Sequence, residues 1–113
     1  MTSPISFDQF LQVDMRVGII IEVQPFEKAR KPAYKLRIDF GTELGVKKSS
    51  AQITHHYTPQ NLIGRLVVAV VNFPPRQIAD FMSEVLVLGL PDEHGHIVLL
   101  QPDETVPLGG RVH

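Results

Sequence analysis

From Val13 to Val23, apolar residues stand at every second position: Val13, Met15, Val17, Ile19, Ile21 and Val23. Period two over eleven residues is strand geometry, because successive side chains of a strand point to opposite faces. A helix would need its apolar residues three and four apart. Gly18, in the middle, suggests a bulge or sharp bend, and Pro25 ends the run. A strand this long with one buried face requires partners. Tyr34, Leu36, Ile38 and Phe40 alternate with Lys35, Arg37 and Asp39, giving a second strand whose charges point away from the core. Gly41 and Gly45 bracket a turn into a more polar third strand, Val46 to Thr54. Arg65 to Phe73 is nearly all apolar and reads as a strand buried on both sides. Glu84 to Leu90 is the fifth. After the turn PDEHGH, Ile97 to Leu100 returns as a hairpin partner, ahead of a Pro- and Gly-rich tail.

Helical signals are short. Ser6 to Gln9 fits a capping box, with Phe7, Phe10 and Leu11 on one side of the helix. In TPQNLIG, Thr58 is the N-cap, Pro59 the first helical residue and Gly64 the stop. Strands with one helix between the third and fourth follow the element order of an OB-fold. The expectation is all-β: a five-stranded OB-fold barrel with short helices and a C-terminal hairpin extension. A generic small β-barrel is the competing reading. With 113 residues and no repeat or linker, residues 1–113 are expected to form one domain.

Composition removes several classes of chemistry. There is no cysteine, which excludes disulfides and thiol catalysis and fits a reducing compartment. The start, MTSPISFDQFLQ, lacks the basic and apolar regions of a signal peptide, and LVVAVV is about a third of a bilayer span. A cytoplasmic location without membrane insertion is expected. Net charge is −1, yet seven of the eleven Lys and Arg fall between Lys28 and Lys48. A basic patch and a solvated charged hairpin are both compatible with that clustering.

Nothing assembles into a catalytic constellation. His55-His56 and His94-x-His96 lack metal-ligand spacing and read as surface histidines, so no metal and no cofactor are expected. Ser49 and Ser50 have no base at a recognised spacing, and Gly109-Gly110 lacks the helix that a phosphate loop needs. Lys35 and Arg37 share the outward face of a strand. The neighbouring aromatics, Tyr34 and Phe40, have the opposite parity, which weakens a base-stacking platform. The segment NFPPRQIADFMSE, Asn72 to Glu84, reads as a capped turn. Pro75 would start one helical turn, with Ile78, Phe81 and Met82 packing inward at i, i+3 and i+4. Its second reading is a stiff rim holding Arg76 and a Met/Phe surface beside the barrel mouth.

The stretches VDMRVG, ARKPAYKLRIDFG, KKSSAQIT, VVNFPPRQIADFMSEVLVLG and VPLGGRV together resemble the CsaA family of export-linked chaperones, over nearly the whole chain. That family is in turn similar to tRNA-binding OB domains. Those relatives carry HPDADKL before the second strand, where this chain has FEKARKPAYKL, and follow SE with GM, where Val85-Leu86 stand here. The departures favour the CsaA side. The resemblance implies a non-enzymatic homodimer that takes unfolded preprotein segments in an apolar pocket and supports protein export, with SecA as a candidate partner. A structure-specific tRNA-binding module is the alternative. Expected binding residues are Lys35, Arg37, Asn72 and Phe73, with Pro75, Arg76, Met82 and Ser83. Phe7, Phe10, Ile97 and Leu99 are expected at the dimer interface, since they offer apolar surface beyond one small barrel's needs.

Overall fold

The computed structural model describes residues 2–113. Its organising element is β1 (Met15–Pro25), the central strand of a five-stranded antiparallel sheet. β2 (Tyr34–Asp39) and β3 (Val46–Ala51) extend the sheet on one side of it. β4 (Leu66–Val70) and β7 (Leu86–Val87) extend it on the other. β2 pairs with the second half of β1 and β4 with the first half, so the sheet coils around one core. Ile20, Leu36, Ile38, Phe40, Leu62 and Val67 fill that core. Among the described residues, no helix is long and apolar enough to cross a membrane.

The register shift in β1 lies between Ile20 and Glu22, not at Gly18. Before the shift, Gly18 and Ile20 face the core while Met15 and Val17 face the other side of the sheet, and after it Val23 packs inward. The simple alternation therefore fails halfway, because one extra residue exchanges the two faces. Gly18 marks a close approach instead. A Cβ there would lie 2.5 Å from Ile38 Cγ2 and 2.8 Å from the Phe40 ring.

Both helices start where their caps require. In α1 (Phe7–Leu11), the Gln9 amide donates to Ser6 Oγ and the Ser6 amide to Gln9 Oε1. In α2 (Pro59–Leu62), Thr58 and Asn61 form the same reciprocal pair, and Leu62 is driven into the core. The predicted third and fourth strands are shorter than expected. The predicted fifth divides into β7 and β8 (Gly89–Pro91), the latter pairing with β9 (Ile97–Leu99).

The segment after β4 is not a helical turn. Arg76–Ile78 (β5) and Phe81–Ser83 (β6) form a hairpin around Ala79 and Asp80, with Ala79 at φ 53°. A two-residue connection of this kind matches strand twist when its first residue takes positive φ. The i, i+3 spacing of Ile78 and Phe81 is equally the spacing of partners flanking such a turn. Met82 pairs with Gln77 on the opposite face.

Candidate functional site

The barrel closes where β3 meets the end of the hairpin, and mostly through side chains. The Ser50 amide donates to Ser83 Oγ at 3.0 Å, and the Lys48 amide to Glu84 Oε1 at 2.9 Å. Buried Ser49 donates through Oγ to the Val85 carbonyl at 3.0 Å. One backbone bond, from the Glu84 amide to the Lys48 carbonyl, completes the seam. Beside it opens a groove of about 460 Å³, floored by Phe73, Pro74, Ile78, Val85 and Leu86. Arg76 and Ser83 stand at its polar side, with Ser50 and Glu84. A smaller hollow of about 350 Å³ shares Ser50 and Leu86 with it and runs on along β3 toward Leu99.

Of the expected binding residues, Phe73, Arg76 and Ser83 meet in this groove, and Phe73 is 50% exposed. Ser83 has its hydroxyl engaged in closing the barrel. Asn72 lies elsewhere and works as a latch: Oδ1 accepts from the Asp14 amide at 3.0 Å, and Nδ2 donates to the Gln12 carbonyl at 2.7 Å. Pro75 is exposed and outside the groove lining. Met82 is exposed on the hairpin face turned away from it. The inward-packing expectation for Met82 is thus corrected, because the hairpin, unlike a helical turn, puts adjacent residues on opposite sides.

Lys35 and Lys48 belong to the same neighbourhood. Their Nζ atoms lie 5.7 and 5.3 Å from the centroid of the Phe81 ring, and Lys35 is also 5.3 Å from Phe26. Phe26, Ala33 and Phe81 form a satellite core that fixes the hairpin to the loop after β1. A salt bridge of 2.7 Å from Lys28 to Asp80 ties the hairpin tip to that loop, holding the Asp80 carboxyl below and the Lys28 amine above their ordinary pKa values. Arg37 is exposed, opposite Glu22 on one side and Lys48 on the other. Pro74, Ile78, Val85 and Leu86 are the groove residues that the expected set lacks. The hairpin alternation of Arg76, Ile78, Phe81 and Ser83 was the signal available.

A second apolar groove, of about 500 Å³, lies on the outer side of the β1–β4 pair. Met15, Val17 and Val68 form its floor, and Leu88, Leu100 and Val112 its sides. The C-terminal tail builds one wall: the Gly109 amide donates to the Val17 carbonyl and the Val112 amide to the Met15 carbonyl. Asp14 binds both Arg16 (2.6 Å) and Arg111 (3.5 Å), joining the tail to the start of β1 and raising the Arg16 pKa. Leu99 lies in the core and Ile97, half-buried, packs against it. The outward residues of that hairpin are Leu90 and Val98, with Leu100 just beyond it. Phe7 is exposed, its ring 6.1 Å from that of Phe10.

His55 and His56, far from the second pair in sequence, meet it through His96. His55 stacks on His96 with ring centroids 3.6 Å apart, and His56 Nε2 lies 2.7 Å from Asp92 Oδ2. Asp92 Oδ1 accepts from the His94 and His96 amides at 2.9 Å each. The His56 contact, followed by the His96 amide, lowers the Asp92 pKa to about 2. The cluster pins the β8–β9 turn to the loop before α2.

Residues 15–111 match the family described as "Putative tRNA binding domain". The CsaA chaperone of Bacillus anthracis is 51% identical, with a TM-score of 0.91 over 98% of this chain and 100% of that one. The chain belongs to the CsaA family, within the tRNA-binding domain family. CsaA from Picrophilus torridus matches equally well, at 52% identity and a TM-score of 0.90, over 97% of this chain and 100% of that one. Methionine–tRNA ligases are more distant relatives. The enzyme of Porphyromonas gingivalis is 35% identical over 96% of this chain, which spans only 15% of that enzyme's length. The family fold is thus a whole chain in CsaA and one small part of the ligases.

Proposed function

We propose that the protein is a non-enzymatic holdase chaperone that seats apolar side chains of unfolded preprotein segments in the groove beside Phe73. The carrying observation is the groove itself: an open hollow lined by the apolar Phe73, Ile78, Val85 and Leu86 together with the hydrogen-bonding Ser50, Arg76, Ser83 and Glu84. Burying one large apolar side chain contributes about 1.5–3 kcal/mol, enough for transient capture and too little for permanent retention. The similarity to the CsaA chaperones of Bacillus anthracis and Picrophilus torridus supports the same reading. Work in the cytoplasm in support of protein export, with SecA as a candidate partner, belongs to this proposal.

A homodimer is part of it too. The outer groove at Met15, Val17 and Val68, flanked by Leu100 and Val112, offers more apolar surface than a lone barrel needs. It replaces Ile97 and Leu99 as the proposed contact, with Phe7 and Phe10 beside the chain start. Two binding grooves on one dimer would raise the avidity for a client long enough to reach both. The test is suppression of aggregation of an unfolded substrate without nucleotide. Phe73→Ala and Ile78→Ser should weaken it. Full activity in both variants would remove the groove from the function.

The family match and the outward cations Lys35, Arg37 and Lys48 support a second reading, a tRNA-binding module. Its mark would be tRNA affinity that falls steeply with salt, with a slope reduced by neutralising Lys35 and Arg37.

A further inference from the structure

We infer that the groove beside Phe73 selects peptide segments in which an apolar residue and a carboxylate stand two positions apart. The inference rests on the holdase reading and names its substrate class. Four cations surround this end of the barrel: Lys28, Lys35, Lys48 and Arg76. Two carboxylates, Asp80 and Glu84, oppose them. Asp80 is held by Lys28 at 2.7 Å, and Glu84 has Oε1 bound to the Lys48 amide. Among the described residues, Lys35, Lys48 and Arg76 have no carboxylate within ion-pair distance. This end of the barrel therefore holds a surplus of positive charge, of which Arg76 lines the groove itself while Lys35 and Lys48 stand over the nearby Phe81 ring.

Spacing then sets the ligand pattern. Arg76 and Ile78 lie on the same face of β5 and both line the groove. Alternate residues of a strand stand about 6.6 Å apart. An extended peptide has the same period, so an apolar side chain seated against Ile78 puts its second neighbour at the Arg76 guanidinium. A carboxylate there gains a charge-assisted bond that a neutral residue cannot make. Nucleic acid fits this spot less well. The rings of Phe26 and Phe81 are 4% and 9% exposed, which leaves Phe73 as the single aromatic face in the groove, short of the successive platforms on which a single strand stacks.

The test uses the full chain and labelled, end-blocked octapeptides with one Leu in a Ser/Thr background, carrying Glu, Gln or Lys two positions after it. At low salt, anisotropy titrations should rank Glu above Gln by roughly three- to tenfold, with Lys weakest. Arg76→Gln should close the Glu–Gln gap, and Arg76→Glu should reverse the order of Glu and Lys. Equal affinities for the Glu and Gln peptides would overturn the inference and leave the holdase reading standing. No binding by any peptide, or binding unchanged in Phe73→Ala, would overturn the holdase reading itself. A single-stranded RNA that displaces the Glu peptide and binds more tightly would also overturn the inference, in favour of a nucleic-acid site.

Discussion

The hydroxyl of Ser83 accepts a hydrogen bond from the amide of Ser50 at 3.0 Å, so a side chain caps the β3 edge where a strand would otherwise pair. Ser83→Ala should leave that part-buried N–H without its partner and cost about 1–2 kcal/mol in chemical denaturation. Glu84→Ala should act alike at Lys48, whereas Glu84→Gln keeps an acceptor and should cost less. Equal stability of Glu84→Ala and the native chain would mean that water satisfies the Lys48 amide.

Gly18→Ala tests why the strand carries a glycine. The added methyl would meet Ile38 and Phe40, both fully buried, at distances no Cβ tolerates. Overpacking of this kind costs about 1–3 kcal/mol. A lowered thermal midpoint is expected. A neutral result would mean that β1 shifts away from β2 to make room.

The parts of this fold legible in the sequence were those governed by neighbours in the chain. The caps at Ser6 and Thr58, the alternation of Tyr34 to Phe40 and the β8–β9 hairpin all have local causes. What stayed hidden depends on partners far away. The bulge after Ile20 changes which residues of β1 face the core, yet Ile19, Ile20 and Ile21 offer no compositional mark for it. The family resemblance implies a binding role for Asn72. Its partners at Gln12 and Asp14 lie some sixty positions back and could not be foreseen from spacing. The groove is half legible: Phe73, Arg76 and Ser83 belong to the expected set, while Ile78, Val85 and Leu86 need the hairpin and the barrel seam.

Asn72→Ala should therefore act on the chain start rather than on ligand binding. Loss of two hydrogen bonds to the Gln12–Asp14 segment is expected to cost about 1–2 kcal/mol and to speed amide exchange at Asp14. Peptide affinity at the Phe73 groove should stay unchanged. A large loss of affinity with normal exchange at Asp14 would return Asn72 to the binding site.

The pH dependence of the β8–β9 turn follows from Asp92. Its ordinary pKa of 3.8 falls to about 2 in the folded chain, first through His56 and next through the amide of His96. A carboxyl depressed on folding stabilises the native state fully above its unfolded pKa, and that contribution is lost as pH falls through the folded value. The window is thus about pH 4 down to 2. Across it, the turn should loosen from the 55–57 loop, and exchange at His94 and His96 should rise as their shared acceptor is protonated. Asp92→Ala should already be loosened at neutral pH and show little further change across the window. An NMR titration of the Asp92 carboxyl reads the cause directly. A midpoint near 2 is expected, and one near 3.8 would mean that the His56 contact does not hold in solution.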